Sequence, residues 1–163
     1  MRPLDQVRSE HARLVPHIAS LVNTADAVEL PGPSAFELID DAWRFLDGHL
    51  LAHARAEEQV LYPALTRALG GTTEAVRLLV ADHVVIARLV DELGALRHRI
   101  AGQAVVDEHA RRELRRVLLG LHAVIEAHFA KEEEVVLPTL EARLAPRDIE
   151  KLLGALGHHE VAS

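Results

Sequence analysis

The sequence predicts an all-α protein, an up-down-up-down four-helix bundle with a short fifth helix, and three observations predict it. Apolar residues recur three and four apart through four long segments, the spacing of one face of an α-helix. Leu, Ala, Val, Arg and Glu dominate, while only three Phe, one Trp and one Tyr are present, a balance that favours helices over strands. The chain also repeats itself: His53-Ala-Arg-Ala-Glu57-Glu58-Gln-Val-Leu-Tyr-Pro63 returns as His128-Phe-Ala-Lys-Glu132-Glu133-Glu-Val-Val-Leu-Pro138. A length of 163 residues and an apolar fraction of 49% suit a single domain with a substantial core.

The first helix is expected from Leu4 or Asp5 into the high twenties, with Val7, His11, Leu14, Ile18 and Leu21 on the buried stripe and a kink at Pro16. Pro31-Gly32-Pro33 closes the connection, and Ser34 with Glu37 forms a capping box for the second helix. That helix carries Leu38, Leu46, Leu50, His53 and Glu57 inward, bends at Pro63 and stops at Gly70-Gly71. Thr72 or Thr73 caps the third helix, which places His83 among apolar neighbours and ends near Gly102. Asp107 caps the fourth, whose stripe runs through Leu114, Leu118, Leu121, Ile125, His128 and Glu132. The bundle thus covers about residues 4–144; a short helix follows at about 146–157, and 158–163 reads as a frayed tail.

The inward-facing polar residues carry the functional signal. Residues four apart stand one above the other on a helix, so His53 with Glu57 and His128 with Glu132 each aim two ligand atoms at one point. His11 and His83 each open a half of the repeat, after Glu10 and Asp82. Burying two carboxylates without a Lys or Arg on the same stripe costs several kcal/mol per ion, roughly, and a metal ion supplies the missing charge. With no cysteine, the donors are imidazole and carboxylate, a set that suits iron, manganese or zinc. Glu58 and Glu133, each turned by about 100° from its neighbour, face water or complete the coordination. His49, one turn before His53, is a further candidate ligand or supporting partner, and Tyr62 reads as core packing, with a redox or hydrogen-bonding role as the alternative.

These residues resemble the hemerythrin-like HHE cation-binding family: an early His, a His-x-x-x-Glu-Glu followed by two apolar residues and Pro or their near equivalent, a third His, and a second His-x-x-x-Glu. The resemblance implies a non-haem di-iron centre with bridging carboxylates and an oxo or hydroxo bridge. Its ligands would be His11, His53, Glu57, His83, His128 and Glu132, and O2, H2O2 or NO its small ligands. Ala87 stands where oxygen-carrying members have another His, and the last carboxylate is Glu132 four residues after His128 rather than an Asp at five. Those departures point away from reversible oxygen carriage and towards peroxide decomposition or oxygen-linked redox chemistry with a separate electron donor. The alternative is a protein that stores or senses iron without catalysis.

The formal charge of −7 argues against a nucleic-acid partner, despite the local cluster Arg111, Arg112, Arg115 and Arg116. The N-terminus lacks the apolar run of a signal peptide and no segment is long and apolar enough to span a membrane, so the expected location is the cytoplasm.

Overall fold

The computed structural model describes residues 4–29, 34–103 and 106–161, and no strand occurs among them. The chain forms five rods: α1 (Asp5–Ala27), α2 (34–69), α3 (Glu74–Ile100), α4 (108–143) and α5 (Pro146–Val161). Neighbours α1–α2, α2–α3, α3–α4 and α4–α1 close a ring, with α5 laid against residues 51–61 of α2. Contacts fix the directions. The start of α1 bonds to the end of α4, Arg8 Nη1 to Glu141 Oε1 at 2.8 Å, while Arg115 near the start of α4 reaches Asp26 at the end of α1 at 2.9 Å. Arg97 near the end of α3 pairs in the same way with Asp40 near the start of α2. The bundle is therefore antiparallel between neighbours, as short connections require.

The punctuation follows local chemistry. Thr73 accepts from Val76 N–H and Asp107 from Ala110 N–H, so each cap satisfies an amide that the first helical turn leaves open. Gly70 ends α2 with φ of 79°, in the left-handed region that glycine enters without steric cost. The expected turn at 31–33 lies outside the described residues, as does the side chain of Ser34 in the expected capping box. α1 continues as one helix through Pro16. At the start of α2 the buried residue is Ile39, 1% exposed, rather than Leu38 at 42%. α5 runs past its expected end at 157, to Val161. Gly154 and Gly157 cost about 1 kcal/mol each inside a helix, but neither takes the positive φ that would end it.

Prolines 63 and 138 do more than bend their helices. Each lacks the N–H that would bond to the carbonyl four residues back, and the turn before each widens into a π-helical one, Glu57–Leu61 and Glu132–Val136. In those turns Tyr62 N–H bonds to Glu57 O and Leu137 N–H to Glu132 O, five residues back. A third π turn, Leu46–Leu50, lies in α2 ahead of His53.

Two apolar clusters fill the bundle. One lies at the end where α1 and α3 finish, built on Ile18, Leu21, Leu46, Leu93, Leu118 and Leu121. The other gathers Leu4, Leu61, Leu79, Leu137 and Leu140, and α5 closes it with Ile149, Leu152 and Leu156. A polar layer lies between them.

Candidate metal centre

That layer is made by four helices. α1 supplies His11, α2 supplies His53 and Glu57, α3 supplies His83, and α4 supplies His128 and Glu132; their exposures run from 0 to 9%. The two His–Glu pairs arise from helical stacking, with His53 Nε2 3.0 Å from Glu57 Oε1 and His128 Nε2 3.7 Å from Glu132 Oε1. The carboxylates cross the axis. Glu57 Oε1 lies 3.5 Å from His11 Nε2 and Glu57 Oε2 lies 3.4 Å from His83 Nε2, while Glu132 Oε2 lies 3.4 Å from His11 Nε2. Two sets of potential ligand atoms each fall within 4.8 Å of one another: His11, His53 and Glu57, and Glu57, His83 and His128. Glu57 belongs to both.

The outer ring nitrogens are held by further carboxylates. His11 Nδ1 is 3.2 Å from Glu133 Oε1, His83 Nδ1 is 2.9 Å from Glu58 Oε1, and His128 Nδ1 is 3.1 Å from Asp82 Oδ2. Lys131 holds Asp82 in turn, Nζ to Oδ2 at 2.7 Å. The first two contacts run crosswise, since Glu133 in the second half secures the His of the first and Glu58 in the first secures the His of the second. Glu58 and Glu133, partly exposed, are thus neither idle surface residues nor members of the inner cluster. Phe129 stacks on His11 with ring centroids 4.4 Å apart, which fixes that imidazole from its face.

The electrostatics show what the layer needs. An ionised carboxylate only accepts, so Nδ1 of His11, His83 and His128 must donate, which leaves the Nε2 lone pairs pointing inward. His83 Nε2 and His128 Nε2 then face each other at 2.9 Å, an arrangement that a cation relieves. Glu57 Oε2 and Glu132 Oε2 are buried and receive no hydrogen bond. In the metal-free layer a proton on an inward ring nitrogen stands in for that cation: burial works against ionised Glu57, but the charge of His53, and the closeness of His53 and His11 to Oε1, outweigh it and hold this carboxyl well below its ordinary value. Burial and the negative charge of Glu57 push Glu132 well above its own. His83 shifts upward because Glu57 and Glu58 overcome its burial, whereas burial moves His128 down, helped by neighbouring His83 and only partly opposed by Glu57. A divalent or trivalent ion would satisfy the lone pairs, the orphaned oxygens and both carboxylates together, so the residues fit a metal.

The sequence profile of the hemerythrin HHE cation binding domain matches residues 2–110 and again residues 74–161. The chain belongs to this family. No curated protein and no solved structure gave a significant match. With the family, the helical bundle and the His/Glu cluster together, this HHE protein is a metal-binding protein. Among its described residues no helix is long and apolar enough to cross a membrane.

Two further residues bear on the layer of this HHE bundle. His49 is exposed, tilted beside Phe45 with centroids 6.0 Å apart, and lies outside both potential ligand sets. Tyr62 is not simple core packing. Its hydroxyl donates to Glu132 Oε1 at 2.9 Å and stands 3.2 Å from His83 Nε2 and 3.3 Å from His128 Nε2. In an α-helix a residue five positions on is turned about 140° from the first, which would take Tyr62 away from the face of Glu57. The π turn adds a residue to that turn and returns Tyr62 to it. Pro63 was the available signal.

The other histidines serve elsewhere. His17 stacks on Phe45, and His122 Nδ1 donates to the Ile18 carbonyl at 3.2 Å. In the arginine cluster, Arg112, Arg115 and Arg116 reach Glu108, Asp26 and Glu92.

Proposed function

We propose that the bundle holds two iron ions and acts on small oxygen species, decomposing hydrogen peroxide to water and O2 or carrying out O2-linked redox chemistry with a separate electron donor. Manganese and zinc fit the same donors less specifically. The observation that carries this reading is the sharing of Glu57 between two sets of ligand atoms, which makes a pair of ions, rather than one, the natural occupant. His11, His53, Glu57, His83, His128 and Glu132 are the proposed ligands. When bound, an iron pair supplies electron exchange and Lewis-acid stabilisation of charge on both oxygens of a peroxide.

The chain's own residues do the rest. Glu133, Glu58 and Asp82 set the ring orientation and tautomer of three imidazoles, keeping Nε2 turned to the centre. The two apolar clusters exclude bulk water from above and below, which strengthens every charge interaction in the layer. Entry is from the side. A cavity of about 300 Å³, lined by Glu10, Arg13, Gly48, His49 and Ala52, reaches His53, which at 9% is the most exposed of the four central imidazoles. It admits a small polar ligand and offers a cationic guanidinium at its wall.

The test is metal analysis of protein purified without added metal, with a visible spectrum. Two irons per chain and an oxo-bridged ferric absorption are expected, and catalytic amounts should consume peroxide with O2 released. Full helicity with one ion per chain, or with zinc alone and no turnover, would contradict the proposal.

A further inference from the structure

Tyr62 has no equivalent in the other half of the repeat. Its counterpart is Leu137, also fully buried and preceding Pro138 in the same way, with no polar atom to offer. Both follow a π turn, so both side chains are delivered to the inside of their helix, but only one carries a hydroxyl. A phenol is neutral at ordinary pH, so the hydroxyl has a proton to donate.

From this we infer that Tyr62 makes the two subsites of the centre unequal, so that the His11–His53 subsite fills first and the His83–His128 subsite second. The inference rests on the two-ion reading above. Glu132 shows the reason. Tyr62 occupies Glu132 Oε1, which leaves Oε2 turned towards His11. The first subsite therefore meets two imidazoles, Glu57 Oε1 and Glu132 Oε2. The second meets two imidazoles, Glu57 Oε2 and Glu132 Oε1, 3.7 Å from His128 Nε2, but that last oxygen is taken by a phenol that lies within 3.3 Å of both ring nitrogens. An ion entering there must compete with a hydrogen bond from the hydroxyl to Glu132 Oε1, whereas Glu132 Oε2 at the first subsite receives no hydrogen bond. A hydrogen bond to a charged group is strong enough to separate the two affinities by about tenfold or more.

Anaerobic titration with cobalt(II), followed by calorimetry and visible absorption and checked by bound-cobalt analysis, tests this on the full chain. The wild type should bind two ions in two resolved steps. His53→Ala should remove the tight step and His128→Ala the weak one, with Tyr62 intact in both. In Tyr62→Phe the steps should merge while two ions still bind; Tyr62→Leu, which copies the other half, should do the same, and metal-free melting of each variant checks its fold. Two ions with an unchanged gap in both Tyr62 variants would overturn the inference and leave the two-ion reading standing. Loss of the weak step on His53→Ala, with the tight step kept, would overturn the proposed order. One ion in the wild type and in both Tyr62 variants would overturn the two-ion reading and the inference with it, whereas one in the wild type and two in Tyr62→Phe is the extreme form of the inequality.

Discussion

Helices α2 and α4 carry the same ligand phrase, yet they surround it differently. In α4, Lys131 and Asp82 brace His128 from outside, and Leu137 closes the layer with an apolar side chain. In α2, Ala56 stands where Lys131 does, a side cavity opens at His53, and Tyr62 brings a hydroxyl into the centre. The inner donors and the crosswise Glu58 and Glu133 contacts repeat; the rest of the surroundings does not. A duplicated scaffold can thus keep its metal-binding residues in register while letting access and hydrogen bonding diverge between the halves.

The strongest way to break the comparison is at the carboxylates. Glu57→Ala should leave no bound ion after dialysis because Glu57 serves both ligand sets, whereas Glu132→Ala should lose the pair but retain one ion, because Glu132 belongs to neither set. Equal metal content in the two variants would show that the halves share their carboxylates evenly. The next contrast is one of packing. Leu137→Ala should cost about 2–5 kcal/mol in metal-free denaturation, the range for a fully buried leucine. Tyr62→Phe, which keeps the ring and removes one hydrogen bond, should cost about 1 kcal/mol. A reversed order would mean that Tyr62 is chiefly structural.

The outer carboxylates sharpen the same picture. Glu58→Ala should weaken the second subsite and Glu133→Ala the first, each by about 10–100-fold with two ions still bound at saturation, because each variant frees the ring of one His. Competition with a chelator measures this, and a drop in stoichiometry would instead make these residues ligands. The smallest effect belongs to Lys131→Ala. It should loosen only the second subsite, by a few-fold, and less at high salt, since the pair with Asp82 is partly exposed. An equal change at both subsites would show that Asp82 is not specific to His128.

Much of this could be read from the residues. Four stripes at helical spacing define the rods, and lone His and Glu on those stripes mark the polar layer, because a buried charge on an apolar face needs a partner. The structure brings those six residues together. Tyr62 was hidden by the assumption of uniform α geometry, which the widened turn before Pro63 breaks. Glu58 and Glu133 were hidden for another reason. Their partners, His83 and His11, lie on other helices, and the pattern within one helix carries no record of what its flank will meet. His49 shows the converse, since it is one turn from His53 in sequence and yet exposed, outside both potential ligand sets.

The crosswise contacts have an implication for how the chain is divided. His11 meets Glu133, and His83 meets Glu58, so each half gives the other the same kind of residue that it receives. That reciprocity is the rule of an isologous contact between two identical subunits, here enclosed within one chain. The halves joined at Gly70 and Gly71 are related to each other as protomers of a dimer are, and the metal layer is their interface. Only the first half holds a complete ligand set, His11, His53 and Glu57; the other set joins Glu57 of the first half to His83 and His128 of the second. Separating them would be dissociation as much as unfolding, and the linker keeps the effective concentration of one half near the other high enough that the centre never depends on how dilute the protein becomes.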